Sequence, residues 1–214
     1  MPEKMATEDL ELLRRWCAGD RLAGTQLFRR HFPAVQRFFR NKVQRVADCE
    51  DLIQSTFMAC AEHPERFSGR SSFRTYLFGI AHHKLLNYFR ARRRSERRFE
   101  VGSVTAAELG PSPASAVAQR EEQRVILEAL RNLPLELQVI LELYYWESMP
   151  ARQIAESLDL PMGTIRSRIR RAKRELGQWL ARHSALPQLL ESTVHDLDDW
   201  ACELRDSLGK ELPG

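Results

Sequence analysis

Apolar residues recur at helical spacing along most of the chain, and polar residues fill the positions between them. Between Asp9 and about Arg98 the hydrophobic positions follow the i, i+3, i+4 pattern of an amphipathic helix, and no segment shows the strict alternation typical of a half-buried strand. The same pattern returns from Gln119 to about His183. These stretches predict an all-α protein.

A segment of different composition separates the two helical stretches. Residues 99–118 hold Gly and Pro among Ser, Thr and Ala, with hardly any large apolar side chain, which is typical of a flexible linker. Fully extended, a linker of this length reaches up to about 65 Å. We therefore predict two small helical domains, residues 1–98 and 119–183, which a flexible linker joins and which can occupy separate sites.

An acidic segment follows the second stretch. In residues 184–214 apolar side chains recur every three or four positions among acidic ones, which predicts an amphipathic C-terminal helix from Gln188 to Leu208. Its charge is opposite to that of the arginine-rich segments of the chain, so one expectation is that it modulates activity by docking on those segments or by contacting a partner protein. The simpler alternative is that it only completes the core of the second domain.

Composition and charge exclude several classes of protein. The chain has 33 Lys and Arg residues against 29 Asp and Glu residues, which gives a net charge of +4. No apolar run approaches the roughly 20 residues that are needed to cross a bilayer. Residues 1–13 carry acidic residues where a signal peptide needs basic ones. The four cysteines have the spacing of neither a disulfide framework nor a zinc site. No phosphate-binding loop or nucleophile arrangement is present. We expect a cytoplasmic protein that is not an enzyme, with reduced thiols, no catalytic residues, no metal, no cofactor and no membrane insertion.

Residues 149–176 have the pattern of a helix-turn-helix. Ile154 and Leu158 mark the buried side of a short helix, the break at residues 159–161 ends in a proline suited to a helix start, and a longer basic helix follows. The inward face of that second helix is the apolar series Ile165, Ile169, Ala172 and Leu176. This order predicts a recognition helix for duplex DNA.

The opposite side of the second helix is almost entirely cationic. Its residues form two sets, Arg166, Ser167, Arg170 and Arg171 toward base edges, and Arg168, Lys173 and Arg174 toward phosphates. Arginine can make bidentate contacts to guanine in the major groove. For a charge run alone a solvated face is the simpler interpretation, but the short helix and tight turn ahead of it favour DNA binding.

The same stretch reads MPARQIAESLDLPMGTIRSRIRRAKREL, and LEALRNLPLELQVILELYYWE precedes it. Together they resemble the promoter-reading C-terminal domain of extracytoplasmic-function sigma factors, which belong to the sigma-70 family. The resemblance implies that the second helix contacts the minus-thirty-five promoter element. The residues that it assigns to this contact are Thr164, Arg166, Ser167, Arg168, Arg170, Arg171 and Lys173.

Residues 48–61 read DCEDLIQSTFMACA and predict a helix with one apolar stripe and an acidic face. The acidic residues can form a binding face for a partner, or they can simply complement the dipole at the helix start. Physical reasoning alone rates these two interpretations about equally. The stretch is similar to the segment with which the same family contacts the clamp helices of the largest polymerase subunit. The resemblance assigns polymerase binding to Asp48, Glu50, Asp51, Gln54 and Phe57.

A small polar loop, FSGRSS, precedes the helical run FRTYLFGIAHHKLLNYFRARRR. Aromatic residues interleaved with arginines are suited to bind single-stranded DNA, because the rings stack on bases and the arginines contact the phosphates. Most of these aromatic residues are expected in the core, and only Tyr88 and Tyr76 are candidates for exposure. The resemblance implies that loop and helix hold the melted minus-ten strand, through Phe67, Ser68, Gly69, Arg70, Ser71, His83, Asn87, Tyr88 and Arg90. Where the family usually shows Arg-Asn this chain has His82 and His83, so we expect an altered minus-ten preference.

The resemblance covers most of residues 10–182 and implies a sigma factor that directs core RNA polymerase to promoters in a stress or envelope response. The implied partners are core polymerase, promoter DNA as duplex and as melted strand, and an anti-sigma factor or other regulator. Two alternatives stay open from the residues alone. One is a helix-turn-helix regulator that acts without being a polymerase subunit, and the other is an RNA-binding protein or nucleic-acid enzyme with basic patches.

Overall fold

The computed structural model describes residues 2–62, 67, 71–96, 106 and 121–183. Within these residues the chain forms eight helices and no strand, which confirms the all-α prediction. They are α1 (Pro2–Cys17), α2 (Arg21–Arg40), α3 (Val46–Glu62), α4 (Phe73–Glu96), α5 (Glu121–Arg131), α6 (Leu135–Tyr145), α7 (Ala151–Leu158) and α8 (Met162–His183). The expected C-terminal helix and, apart from Ala106, the expected linker lie outside the described residues.

The turn between α1 and α2 is set by two residues. Gly19 has a φ of 99°, a conformation that side chains disfavour, and reverses the chain after α1. Asp20 then caps α2, because its Oδ1 accepts hydrogen bonds from the backbone N–H groups of Leu22 at 3.0 Å and Ala23 at 3.1 Å. Arg15 pairs with the same carboxylate at 2.7 Å, so α1 and α2 are tied together at their junction.

Helices α1 to α4 enclose an aromatic core. Phe38, Phe39, Phe73 and Phe78 are almost completely buried, and the Phe38 ring meets those of Phe39 and Phe78 edge to face at 5.2 and 5.6 Å. A buried polar group also joins α1 to α2, since Asp9 contacts His31 Nε2 at 2.8 Å and accepts from Arg30 at 2.7 Å. Burial raises the pKa of Asp9, but these two partners outweigh it and the pKa is lowered.

Helices α5 to α8 form the second set. Leu127, Leu137 and Leu141 from α5 and α6 pack against Ala172 and Leu176 of α8 in a separate apolar cluster. The packing follows from the i, i+4 spacing of these residues in α6 and α8, which places them on one face of each helix. Helix α7 lies outside this cluster, since its buried residues Ile154 and Leu158 belong to the apolar cluster that also contains α4.

The two helical sets are packed against each other. One continuous apolar cluster contains Leu77 and Phe78 of α4 together with Ile140, Ile154 and Ile165 of the second set. The Arg131 guanidinium adds hydrogen bonds to the backbone oxygens of Asn41 at 2.6 Å and Ala106 at 2.7 Å. The structure therefore shows the two sets in a closed arrangement, with α7 on α4 and α6 on α2.

The described helices do not include one with both the length and the apolar character that a membrane span requires. Burial raises the pKa of the Cys49 thiol to about 11 and that of Cys60 to about 12, so both stay protonated at neutral pH. No group of three or more potential metal ligands comes together in the described part of the chain.

Candidate nucleic-acid and polymerase interfaces

A left-handed residue separates α7 from α8. Asp159 has a φ of 52°, and its backbone N–H bonds to Ala155 O, as does the N–H of Leu160 at 3.0 Å. Both N–H groups thus bond to the same carbonyl oxygen at the end of α7, where the left-handed residue turns the chain sharply. Helix α8 then begins at Met162, directly after Pro161, in a new direction.

Helix α8 has the two faces that its sequence predicts. Ile165, Ile169, Ala172 and Leu176 are buried, with exposed fractions of 8% or less. The basic face, which we define as Arg166, Ser167, Arg170 and Arg171, is exposed along the first half of the helix. The helix thereby presents a hydroxyl and three guanidinium groups to solvent over less than two turns.

Several cations of α8 have partners within the protein. Arg168 pairs with Glu136 at 3.1 Å, and Arg171 Nε donates to Glu175 at 2.7 Å. Lys173 is half-buried, and its Nζ lies 5.0 Å from the ring centroid of Tyr145. Thr164 is half-buried and accepts from the Ser167 hydroxyl through its carbonyl oxygen at 2.9 Å.

Arg166 and Arg170 differ from these residues. Both are exposed, and neither forms an ion pair within the described part of the chain. Within that part, an internal salt bridge therefore does not hold their guanidinium groups, unlike those of Arg168 and Arg171.

Helix α3 exposes acids on one side and buries its apolar stripe on the other. Glu50, Asp51 and Gln54 are exposed, and we call them the acidic face. Phe57 is only 8% exposed, since its ring packs against Phe28 at 4.9 Å and Phe32 at 6.1 Å. Phe57 thus holds α3 on α2 and supports the acidic face from beneath.

Asp48 links α3 to α4. It is half-buried and accepts a hydrogen bond from the Tyr88 hydroxyl at 2.9 Å, and Arg92 donates to the same hydroxyl at 3.0 Å. Burial and the Asp48 carboxylate raise the pKa of Tyr88, against the opposing effect of Arg92. The two residues therefore connect the proposed polymerase and minus-ten surfaces.

The exposed edge of α4 carries three of the residues that the sequence assigns to the minus-ten strand. His83, Asn87 and Arg90 are exposed at i, i+4 and i+7, which places them on one side of the helix. Phe67 is half-buried against Phe73 and Tyr76, at ring distances of 6.0 and 5.5 Å. The remaining loop residues Ser68, Gly69 and Arg70 lie outside the described residues.

A groove of about 440 Å³ lies beside this edge. The first half of α4 and the preceding residues contribute Ser71, Thr75 and His83 to it, and α7 contributes Glu156 and Ser157. The groove therefore brings two predicted minus-ten residues, Ser71 and His83, together with a carboxylate and a hydroxyl of the helix-turn-helix.

The two adjacent histidines occupy different environments. His83 is exposed, whereas His82 is half-buried. Burial, with the added positive charge of His83, Lys42 and Arg90, lowers the pKa of His82 to about 4. His82 is therefore neutral at physiological pH, and His83 is the member of the pair that is exposed on the α4 edge.

Sequence reasoning missed the charged residues between the two helical sets. The Glu142 carboxylate of α6 is bonded to Lys42 Nζ and accepts from Asn41 Nδ2 at 3.0 Å. Glu147 accepts from Arg37 Nε at 3.1 Å and also from Arg74. The one available signal was a glutamate inside the apolar run LELQVILELYY, which implies a buried partner without identifying it.

Each helical set matches a family model of its own. Residues 27–95 match the family model of sigma-70 region 2, and residues 123–176 match that of sigma-70 region 4. The chain is 30% identical over 173 residues to the ECF RNA polymerase sigma-E factor of Haemophilus influenzae, with 77% of this chain and 91% of the relative covered. It is also 30% identical over 171 residues to the RNA polymerase sigma factor NccH of Alcaligenes xylosoxydans xylosoxydans, and the match covers 78% of this chain and 92% of that relative.

Two solved structures share the fold. One is CnrH in complex with the cytosolic domain of CnrY, with a TM-score of 0.64, 22% identity, and coverage of 83% of this chain and 99% of CnrH. The other is the sigma factor RpoE in complex with the anti-sigma factor NepR from Bartonella quintana, with a TM-score of 0.59, 21% identity, and coverage of 73% and 96%. At these identities the likeness concerns the fold alone.

The buried imidazole of His82 predicts a specific pH dependence of stability. Its pKa of about 4 lies below the ordinary value of 6.5, so between these values the unfolded chain binds a proton that the folded chain does not. The free energy of unfolding should therefore fall as pH drops from 6.5 to 4, by on the order of 2 to 3 kcal/mol from this residue. Urea denaturation across this range, with NMR titration of the ring, measures both quantities.

The matched variants are His82→Gln and His83→Gln. His82→Gln should flatten the decline in stability, whereas His83→Gln, at the exposed neighbouring position, should retain it. A His82 ring that titrates near pH 6.5 in the folded protein would contradict its assignment as a buried neutral group.

Proposed function

Because the chain belongs to the extracytoplasmic-function group of the sigma-70 family, we propose that different exposed faces of it bind polymerase, the melted strand and the duplex during transcription initiation. As a sigma factor it directs core RNA polymerase to promoters. The domain containing α1 to α4, which we assign to residues 1–98, binds polymerase and the melted minus-ten strand. The domain containing α5 to α8, assigned to residues 119–183, reads the minus-thirty-five duplex.

The observation that carries this division is that one chain presents three separate surfaces of different character. The acidic face of α3 suits a basic protein partner, the basic face of α8 suits a major groove, and the α4 edge combines His83, Asn87 and Arg90 beside an aromatic loop residue. A DNA-binding regulator that acts without polymerase needs only the second of these. Family membership and the surfaces therefore favour the same function.

We assign polymerase contact to Glu50, Asp51 and Gln54, with Phe57 as the buried support of that face. Asp48 contributes from the edge, because its carboxylate is already hydrogen-bonded to Tyr88. Electrostatic complementarity of this kind increases the association rate and excludes wrong partners.

On the DNA side, Arg166 and Arg170 read base edges, and Ser167 and Arg171 add contacts along the same face. Arg168, Lys173 and Thr164 lie closer to the protein and support phosphate contacts or the position of the helix. Opening of the minus-ten element requires bases to leave the stack, at a cost of a few kcal/mol that contacts to the extruded bases offset. We assign those contacts to the loop at residues 67–71 and to the α4 edge.

We further propose control by an anti-sigma factor in a stress or envelope response. Both structural relatives were solved with a bound partner, the cytosolic domain of CnrY in one and the anti-sigma factor NepR in the other. A partner that covers the acidic face or the α4 edge keeps this chain from polymerase or from DNA. The expected acidic C-terminal helix is a second candidate regulator, which would dock on a basic DNA-binding face or contact polymerase.

The polymerase assignment predicts that Asp51→Arg prevents association with core polymerase. The substitution places a cation against a basic surface, and such a mismatch costs several kcal/mol. Pull-down with purified core polymerase, together with circular dichroism of the variant, measures binding and folding. Glu62→Arg is the control, because it makes the same charge change at an exposed position about 16 Å further along α3. Normal recovery of folded Asp51→Arg with polymerase would refute the assignment.

The DNA assignment predicts that Arg166→Ala and Arg170→Ala each weaken recognition at individual minus-thirty-five positions by about 1 to 3 kcal/mol, as expected for loss of a base contact. Lys173→Ala should weaken binding by a smaller amount that is uniform across sequences. Competition binding of holoenzyme to single-base promoter variants measures these effects. Arg182→Ala, at the far end of the same helix, is the control. An unchanged sequence preference in both arginine variants would exclude them as base readers.

A further inference from the structure

A buried carboxylate and a buried imidazole face each other between α1 and α2. The side chains of Asp9 and His31 are 4% and 3% exposed, and Asp9 Oδ2 lies 2.8 Å from His31 Nε2. The other oxygen, Oδ1, accepts from Arg30 at 2.7 Å, and Arg30 also pairs with Glu8 at 3.2 Å. Because the pKa of Asp9 is lowered, its carboxylate is ionised and the imidazole Nε2–H is the donor. We call these two residues the Asp9–His31 pair.

The imidazole contacts a group of rings that leads to the minus-ten loop. Its ring centroid lies 5.4 Å from that of Phe73, which is 1% exposed. Phe73 in turn contacts Phe67 at 6.0 Å and Tyr76 at 6.4 Å, and the rings of Phe67 and Tyr76 lie 5.5 Å apart. These four rings, which we call the aromatic series, therefore connect the buried pair to the loop residue Phe67.

Phe73 is also the residue at which α4 begins, directly after the loop. Ser72 caps this start, because its Oγ accepts a hydrogen bond from the backbone N–H of Thr75 at 3.1 Å. The cap sets the direction of the first turn of α4, and the contact between Phe73 and His31 ties that turn to α2. The position of the end of the loop therefore depends on a ring that His31 contacts.

An apolar contact behind Phe73 would stabilise the fold at least as well as the Asp9–His31 pair does. Buried charges cost desolvation energy that their attraction roughly offsets, and replacement of such a pair by apolar side chains is often neutral or stabilising. The hydrogen bond to Asp9 adds direction instead, because it favours one rotation of the imidazole ring. A site that binds a base requires this kind of support behind the side chains that contact the ligand.

We propose that Asp9 and His31 are positioning residues for minus-ten recognition, which hold Phe73, and through it Phe67, where the loop receives an extruded base. The inference rests on the proposed function of the loop and names the residues that support it. Both residues are buried and act through Phe73. Aromatic rings contribute to single-strand binding by stacking on bases, and a ring that has tilted or shifted loses part of that contact.

Three variants separate the two contacts of the pair. His31→Phe keeps a ring beside Phe73 but cannot donate to Asp9, and His31→Gln keeps a donor but has no ring. Asp9→Leu removes the acceptor and leaves His31 in place. Trp16→Leu is the matched control, because Trp16 packs on Phe28 at 5.1 Å, about 10 Å further along α1. This control loosens α1 on α2 at a site away from the aromatic series.

The readout is the abasic penalty, which is the ratio of the affinities for a minus-ten single strand with and without the extruded base. Holoenzyme reconstituted with core polymerase is titrated with fluorescent non-template oligonucleotides in which one minus-ten position at a time is abasic. With the wild-type chain the penalty at the extruded position should be at least about fivefold, as base–aromatic stacking predicts. A variant that only destabilises the fold lowers both affinities equally and leaves the ratio unchanged.

The variants of the Asp9–His31 pair should lower the abasic penalty to about twofold or less, whereas Trp16→Leu should retain it. Thermal melting followed by circular dichroism identifies the variants that are folded at the assay temperature, and one folded variant of the pair is enough for the comparison. An unchanged penalty in a folded variant of the pair would overturn the proposal, and so would an equal loss in Trp16→Leu. Failure of the proposed function would appear separately, as the absence of an abasic penalty at every position with wild-type holoenzyme.

Discussion

A carboxylate that is removed from water is tolerated only where cations or hydrogen-bond donors surround it, and this constraint fixes how the two domains meet. Glu142 and Glu147 are buried, and most of their donors come from the other domain: Arg37 of α2, Asn41 and Lys42 directly after α2, and Arg74 of α4. The geometry of these bonds sets α6 against α2 and thereby α7 against α4. The apolar cluster that runs across the interface then packs in one register.

This arrangement relates the two DNA-binding surfaces to each other. The inward face of α8 is buried in the core, which leaves Arg166, Arg170 and Arg171 exposed on its other side. The α4 edge is different, because its first half is also the surface on which α7 rests.

The sequence was sufficient wherever periodicity decides the structure. The stripe from Ile165 to Leu176 predicted both faces of α8, and the acids of α3 were correctly expected on its surface. Phe57 was assigned to polymerase by resemblance, but the structure places it in the core against Phe28, where its stripe position also predicted it. Pairing across about a hundred residues, as between Lys42 and Glu142, leaves no periodic signal, because it depends on how two separately folded surfaces meet.

The central claim is that this chain initiates transcription as a subunit of polymerase, and reconstituted transcription tests it most directly. Purified core RNA polymerase would be incubated with linear promoter templates, with and without the chain, and the RNA 5′ ends mapped. The account predicts transcripts from defined start sites that depend on the chain and disappear when the minus-thirty-five or minus-ten element is replaced. Sequence-specific duplex binding by the chain, with no chain-dependent transcript from the bound templates, would contradict it.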